Sequence, residues 1–183
     1  MKKTLKLSKL LILSLTLATA CVANAGGPKA WGSASDVTAI GLPLVALSNV
    51  YVKGDTEGFK ELSYTLGSAF AASEVLKSVI HEKRPDGSGI DGFPSGHTAI
   101  AFAAAHFMDK RYDAEASPYL YAVAGFTALA RVKADKHYAH DVLAGAGLGV
   151  FSAEYFTHPV SGGQVSLMPA KSGLAVVWQT PLF

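Results

Sequence analysis

Residues 99–108 have the sequence AIAFAAAHFM, a run dominated by alanine and free of glycine and proline. Alanine has the highest intrinsic helix propensity, and the larger apolar residues of the run can face a core. Pro94 lies just upstream and disfavours helix at Phe93, so that the run has a defined start. The stretch therefore predicts a helix over residues 95–109.

Two neighbouring segments carry equally clear helix signals. Residues 58–80 place apolar side chains at intervals of three and four, which is the period of a helix face. Residues 118–131 follow Ser117, a suitable N-cap, and start with Pro118, which is favoured in the first turn of a helix. Both segments are predicted to be helices.

A further helix is predicted over residues 35–53. Ser35 and Asp36 are candidate N-caps for it. Pro43 lies inside the segment and is expected to kink or break the helix.

The last predicted helix, residues 138–156, contains Gly145, Gly147 and Gly149. A glycine inside a helix costs about 1 kcal/mol relative to alanine, so these glycines need a reason. Close approach of a neighbouring helix is one explanation. A less regular helix is the alternative.

The 183-residue chain has room for one domain with one core. The predicted fold class is all-α, a compact bundle of about five to six helices that occupies residues 26–160. Residues 161–183 contain alternating apolar positions around the turn-forming sequence PAKSG, which favours a short β-hairpin or an extended tail.

Residues 1–25 resemble a targeting sequence rather than part of the fold. Four lysines precede the apolar run LLILSLTLATA, and small residues follow it. We interpret the segment as a signal peptide that is cleaved after Ala25, with export to a bacterial periplasm. Lipidation at Cys21 and retention as an uncleaved membrane anchor remain alternatives.

The formal net charge of +2 includes the four lysines of the leader. Without them, 12 basic residues face 14 acidic ones, and no basic stripe is left, so nucleic-acid binding is not expected. Cys21 is the only cysteine, and its removal would exclude disulfides, zinc–thiolate sites and thiol catalysis. The mean hydropathy of +0.27 leaves association with a membrane surface open, and the sequence does not determine the oligomeric state.

Polar residues interrupt the apolar helices in three places. Lys77 and Arg84, near the end of the second predicted helix, are seven residues apart and can project from one side. The backbone N–H groups of Ser95, Gly96 and His97 lie at a helix start, where they can converge on an anion.

The third place is residues 130–141, ARVKADKHYAHD. If His137 and Asp141 lie on one helix, they share a face, and the carboxylate can hold the imidazole and fix its free nitrogen. His140 is expected to face elsewhere. No metal is predicted, because the set lacks a standard pair of histidines and is cationic rather than rich in carboxylates. With Arg131, the three places describe a pocket for a tetrahedral oxyanion, most simply phosphate.

These residues resemble the three-part signature of the type 2 phosphatidic acid phosphatase superfamily. The superfamily includes bacterial acid phosphatases, lipid phosphatases and vanadium haloperoxidases. Serine usually precedes the arginine of the third motif, where this chain has Ala130. The parts of the signature are Lys77 with Arg84 and Pro85, then Pro94-Ser95-Gly96-His97, then Arg131 with His137 and Asp141.

The resemblance implies a role for each residue. His137 would attack phosphorus, Asp141 would orient His137, and His97 would protonate the leaving oxygen. No cofactor is implied. The residues that would bind the phosphate oxygens are Lys77, Arg84, Ser95, Gly96 and Arg131.

The resemblance also implies a function, which is hydrolysis of phosphomonoesters or of lipid phosphates such as phosphatidic acid, a polyprenyl diphosphate or lipid A. Two alternatives stay open, a vanadium-dependent haloperoxidase and an envelope protein that binds an anionic lipid without turnover. Residues 86–92, DGSGIDG, are expected either to form a loop at the mouth of the pocket or to be a plain connection.

Overall fold

The computed structural model describes residues 26–160 and the backbone of residues 164–170 and 173–179. The leader predicted for residues 1–25 lies outside the described residues. The predicted all-α class is confirmed, because residues 26–160 form five helices. These are α1 (Pro28–Lys53), α2 (Thr56–Val79), α3 (Gly96–Tyr112), α4 (Ser117–Lys133) and α5 (Ala139–Phe156).

Helix α1 differs from its prediction at its start and at Pro43. It begins at Pro28, in the first turn where a missing N–H costs nothing, so Ser35 and Asp36 are not its caps. Pro43 lies inside the helix, which continues through it to Lys53. The expected break is wrong because residues on both sides of Pro43, such as Leu42 and Ala46, are buried in the same core. Tertiary packing thus outweighs the hydrogen bond that proline removes.

Helix α1 is also long and apolar enough to cross a membrane, the one such helix in the described part of the chain. In its most apolar window, 39% of the residues are buried inside the protein. Large apolar side chains on its outer face, among them Ile40 and Leu44, are exposed.

Helix α3 lies at the centre of the bundle and contacts each of the other four helices. Its alanines from Ala99 to Ala105 are almost all buried, and Phe107 is fully buried. Small side chains on this helix allow its neighbours to pack close to its backbone. The stretch that opened the sequence analysis is therefore the core of the fold.

The predicted close approach of a helix to the glycines of α5 is confirmed at two of the three positions. A Cβ atom on Gly149 would overlap the carbonyl oxygen of Ala99, and one on Gly145 would overlap the carbonyl oxygen of Ser95. A Cβ atom on Gly147 would meet nothing within 4 Å. Glycine thus lets the backbones of α3 and α5 touch, while Gly147 has no such role.

Beyond residue 160, the backbone of two strands is described, β1 (Gln164–Ala170) and β2 (Gly173–Gln179). They pair antiparallel, with Gln164 opposite Gln179 and Ala170 opposite Gly173. This is the extended pairing that the alternation in the tail favours.

The contact between α3 and α5 predicts a difference between two glycines of the same helix. Gly149→Ala should lower the free energy of unfolding by about 2 kcal/mol or more, because its methyl group has to push the two backbones apart. Gly147→Ala should leave the free energy unchanged or raise it by up to about 1 kcal/mol, since alanine favours helix and meets no atom. Chemical denaturation of both variants measures this, and equal effects would contradict the proposed contact.

Candidate functional site

The predicted site residues gather at one end of the bundle, where α2 and α4 finish and α3 and α5 begin. Lys77 lies in the last turn of α2, Gly96 is the first residue of α3, and Arg131 lies in the last turn of α4. Residues 80–95 and 134–138 connect these helices and supply the rest of the site. Helix N-termini and cationic side chains thus face a common region, an arrangement that suits an anion.

His137 is buried in the connection before α5, with 2% of its surface exposed. Its Nδ1 lies 2.6 Å from the carbonyl oxygen of Gly92. A carbonyl only accepts, so Nδ1 carries the proton and Nε2 is left with a lone pair. Burial, together with the charge of Arg131, lowers the pKa of His137 to about 3. The imidazole is therefore neutral near neutral pH, with Nε2 3.5 Å from Nη2 of Arg131.

The contact of Asp141 with His137 differs from the one predicted. Helix α5 begins at Ala139, so His137 is not part of it and the two residues do not share a helix face. Oδ2 of Asp141 lies 3.6 Å from Nδ1 of His137, longer than a hydrogen bond. Instead, Oδ2 accepts the N–H of Tyr138 at 2.7 Å and caps α5. The carbonyl of Gly92, rather than Asp141, fixes the tautomer of His137.

The start of α3 lies against α5 and Lys77. Ser95 is buried, and its N–H donates to the carbonyl oxygen of Asp141 at 3.0 Å. Contrary to the prediction, this N–H is therefore not free to bind an anion. The Ser95 hydroxyl lies 3.0 Å from that of Thr98. A Cβ atom on Gly96 would lie 3.4 Å from Nζ of Lys77, so the ammonium group sits beside the first turn of α3.

Asp36 on α1 joins the site, although the sequence analysis considered it only as a helix cap. Its Oδ1 lies 3.0 Å from Nε2 of His97 and 3.4 Å from Nη1 of Arg131. The available signal was that Asp36 is the one acidic residue of this helix. Asp36 thereby links the predicted acid to the predicted phosphate ligand.

The electrostatic environment of His97 reflects these neighbours. Burial and the charge of Arg131 lower the pKa of His97, whereas Asp36 raises it by charge and by hydrogen bonding. The net effect is a lowered pKa. Arg131 is 5% exposed, and its Nε has no hydrogen-bond partner among the described residues. A buried N–H of this kind is suited to an incoming oxyanion.

Arg84 lies near the site, but its hydrogen bonds go to Asp91. Its guanidinium donates through Nε to Oδ1 and through Nη2 to Oδ2 of Asp91, at 2.9 and 2.8 Å. Arg84 precedes the segment 86–92 and Asp91 lies within it, and the segment ends at Gly92 against His137. This segment therefore lies beside the site, as one of the two interpretations of its glycines expected. The charge of Arg84 still contributes to the lowered pKa of His137.

His140 faces away from the predicted nucleophile, as expected. Its Nε2 lies 2.7 Å from Oε1 of Glu82 and 3.0 Å from Oδ1 of Asp141, and 60% of its side chain is exposed. It contacts the carboxylate beside His137 rather than the region that Arg131 and His97 face.

Residues 59–161 match the family model of the PAP2 superfamily. The chain belongs to the PAP2 superfamily. The match contains all three motifs, so the resemblance drawn from residues 77–141 is confirmed. Sequence similarity extends to proteins named lipid A 1-phosphatase from two bacteria. The one from Porphyromonas gingivalis is 42% identical over 74 residues, which are 39% of this chain and 17% of that protein. The one from Helicobacter pylori is 35% identical over 77 residues, 42% of this chain and 40% of that protein.

The chain thus aligns with less than half the length of these relatives. No solved structure matches the chain.

The position of Asp36 in this PAP2 domain predicts the direction of a pKa change. Asp36→Asn should lower the pKa of His97, because it removes a charge and a hydrogen bond that favour the imidazolium ion. An NMR titration of the His97 ring measures this. Asp113→Asn, a change at the far end of α3, serves as the control. An unchanged or raised pKa in Asp36→Asn would show that the two side chains do not interact.

Proposed function

We propose that this chain is a phosphatase that hydrolyses a lipid phosphate through a phosphohistidine at His137. The observation that carries the proposal is the buried neutral imidazole, whose Nδ1 donates to the carbonyl oxygen of Gly92 and whose unprotonated Nε2 has only a long contact, 3.5 Å, with Nη2 of Arg131. An imidazole nitrogen with a fixed tautomer and an available lone pair is an effective nucleophile. Membership of the PAP2 superfamily supports the same chemistry.

In the first step, Nε2 of His137 forms a bond to phosphorus as the bond from phosphorus to the leaving oxygen breaks. Negative charge on the transferring group is spread over its three equatorial oxygens, so positive charge and positioning lower the barrier. Arg131 places Nη2 3.5 Å from Nε2, and its Nε has no hydrogen-bond partner among the described residues. Lys77 lies beside the first turn of α3. These side chains supply the positive charge themselves.

His97 gives its proton to the leaving oxygen in this scheme, and Asp36 holds His97 in place. Water then attacks the phosphohistidine, with His97 accepting a proton from it, and phosphate and free His137 are released. The first step needs His137 neutral and His97 protonated. Activity should therefore fall at low pH as His137 is protonated and at higher pH as His97 loses its proton, giving a bell-shaped profile.

Arg84 joins this scheme by exchanging partners. A phosphate oxygen and the carboxylate of Asp91 both suit the planar fork of a guanidinium group. We infer that the substrate competes with Asp91 for Arg84. Ser95 is the N-cap residue of α3 and Gly96 its first residue, so both would lie beside a phosphate bound at this helix N-terminus. Asp141 contributes by capping α5 and by its negative charge near Nδ1 of His137.

The surface around the site favours a lipid as the substrate. Ile40, one turn after Asp36 on α1, is 64% exposed, and Val79, two residues after Lys77 on α2, is 70% exposed. Apolar side chains on two helices that each supply a site residue would contact the acyl chains of a substrate or the surface of a membrane. The relatives named lipid A 1-phosphatase support a phosphorylated lipid of the lipid A type. Export to the periplasm, where such a lipid is exposed, is part of the proposal.

The two neighbouring histidines should differ sharply in activity. His137→Ala should lower kcat by about 1000-fold or more, because the nucleophile is lost, while His140→Ala should stay within about threefold of the wild type. Phosphate release from a micellar lipid phosphate measures both, and acid-labile radiolabel retained on wild-type protein but not on His137→Ala would identify the intermediate. Equal losses of activity in the two variants would contradict the assignment of His137 as the nucleophile.

The apolar rim should affect lipid substrates alone. Ile40→Gln and Val79→Gln should each raise KM for a micellar lipid phosphate several-fold and leave kcat/KM for a soluble phosphomonoester unchanged, since neither side chain touches the phosphate. Tyr119→Gln is the matched control, because it removes a similarly exposed side chain from the end of α4 that lies away from the site. Equal effects on both substrates would argue against a lipid-binding role for the rim.

A further inference from the structure

A second group of polar side chains lies beside the candidate active site. Nε2 of His140 is 2.7 Å from Oε1 of Glu82 and 3.0 Å from Oδ1 of Asp141. One such atom from each of the three residues lies within 4.8 Å of the others. None of these three atoms takes part in the phosphoryl transfer proposed above, because Asp141 faces His137 through Oδ2.

The hydrogen bonding within this group is incomplete. Asp141 is fully buried, and its Oδ1 has no hydrogen-bond partner in the described part of the chain, although it lies 3.0 Å from Nε2 of His140. The single N–H that Nε2 of His140 can carry is used for Glu82. One proton cannot serve both carboxylates, and a buried carboxylate oxygen without a donor costs free energy. A cation between the three atoms would satisfy all of them.

The imidazole ring is already held in the orientation that such a cation needs. It stacks with Tyr138 at a centroid distance of 5.5 Å and an angle of 9°, and with Phe93 at 6.2 Å and 29°. Fixed ligand rings lower the entropic cost of binding a metal. The 60% exposure of the His140 side chain gives an ion access from solvent.

We propose that Glu82, His140 and Asp141 bind a divalent transition metal ion, Zn²⁺ being the best match. Zinc binds imidazole nitrogen and carboxylate oxygen at about 2.0–2.2 Å, which places neighbouring ligand atoms of a tetrahedron roughly 3.3–3.6 Å apart. The observed distances of 2.7 and 3.0 Å need only a small expansion to reach that spacing. An imidazole ligand disfavours Mg²⁺ and Ca²⁺, which prefer oxygen. Water would fill the fourth position.

The ion would brace the segment that positions the nucleophile. The carbonyl oxygen of Glu82 accepts the N–H of Gly92 at 2.9 Å, and the carbonyl oxygen of Gly92 accepts from Nδ1 of His137. Asp141, the third ligand, lies in the first turn of α5. Bound Zn²⁺ thus ties residues 82–92 to α5 on either side of His137, as a structural ion outside the reaction.

The experiment measures Zn²⁺ binding by the untagged full chain, by equilibrium dialysis and by the shift of Tm with Zn²⁺ concentration. One ion should bind, and saturating Zn²⁺ should raise Tm by about 5 °C or more, whereas Mg²⁺ should not. His140→Ala and Glu82→Gln should each weaken binding by at least tenfold. His158→Ala is the matched control, because that exposed histidine contacts one carboxylate, Glu61, at 3.0 Å and should bind Zn²⁺ like the wild type.

Absence of Zn²⁺ binding by the wild type would overturn the proposal, and so would wild-type affinity in either His140→Ala or Glu82→Gln. Having two variants on separate segments guards against a folding defect in one of them. Phosphate release in metal-free buffer is measured in parallel. Since it should persist in His140→Ala, failure of the metal site and failure of the phosphatase proposal give different results.

Discussion

The close contact between α3 and α5 is the constraint on which the rest of the structure depends. At Gly145 and Gly149 the backbone of α5 lies directly on that of α3, with no room for a Cβ atom. This contact lets the Ser95 N–H reach the carbonyl oxygen of Asp141. The first turns of two helices are thereby fixed side by side. The connections that precede them, which carry His137 and Gly92, are consequently held at the same end of the bundle.

Burial determines the chemistry of that end. The same desolvation that lowers the pKa of His137 also strengthens its interaction with Arg131, because both lie in a region of low effective dielectric. Cationic side chains of the site have carboxylate partners. Asp36 meets Arg131 and His97, and Asp91 meets Arg84, so the site holds carboxylates where the proposed phosphate oxygens would bind. An anionic substrate would therefore displace these carboxylates from the cationic side chains.

Much of the helical fold follows from local signals. The alanine-rich α3, the apolar face of α2 and the proline at the start of α4 each predicted a helix within a few residues of its observed ends, because propensity and periodicity act over one or two turns. The failures have non-local causes. Pro43 was expected to kink or break α1; the helix is not broken there, and Leu42 and Ala46 on either side of it are buried in one core. Ser35 and Asp36 have the chemistry of caps, yet they lie inside a helix and face Arg131.

The motif spacing by itself determined which side chains meet, because Lys77, His97, Arg131 and His137 stand at helix ends that a compact bundle brings together. Only the tertiary structure decided what each of them touches. The carbonyl of Gly92 sets the tautomer of His137, and Asp36 comes from a helix outside the motifs. A backbone carbonyl leaves no trace in the sequence, since every residue has one, and its direction is fixed only when distant segments pack.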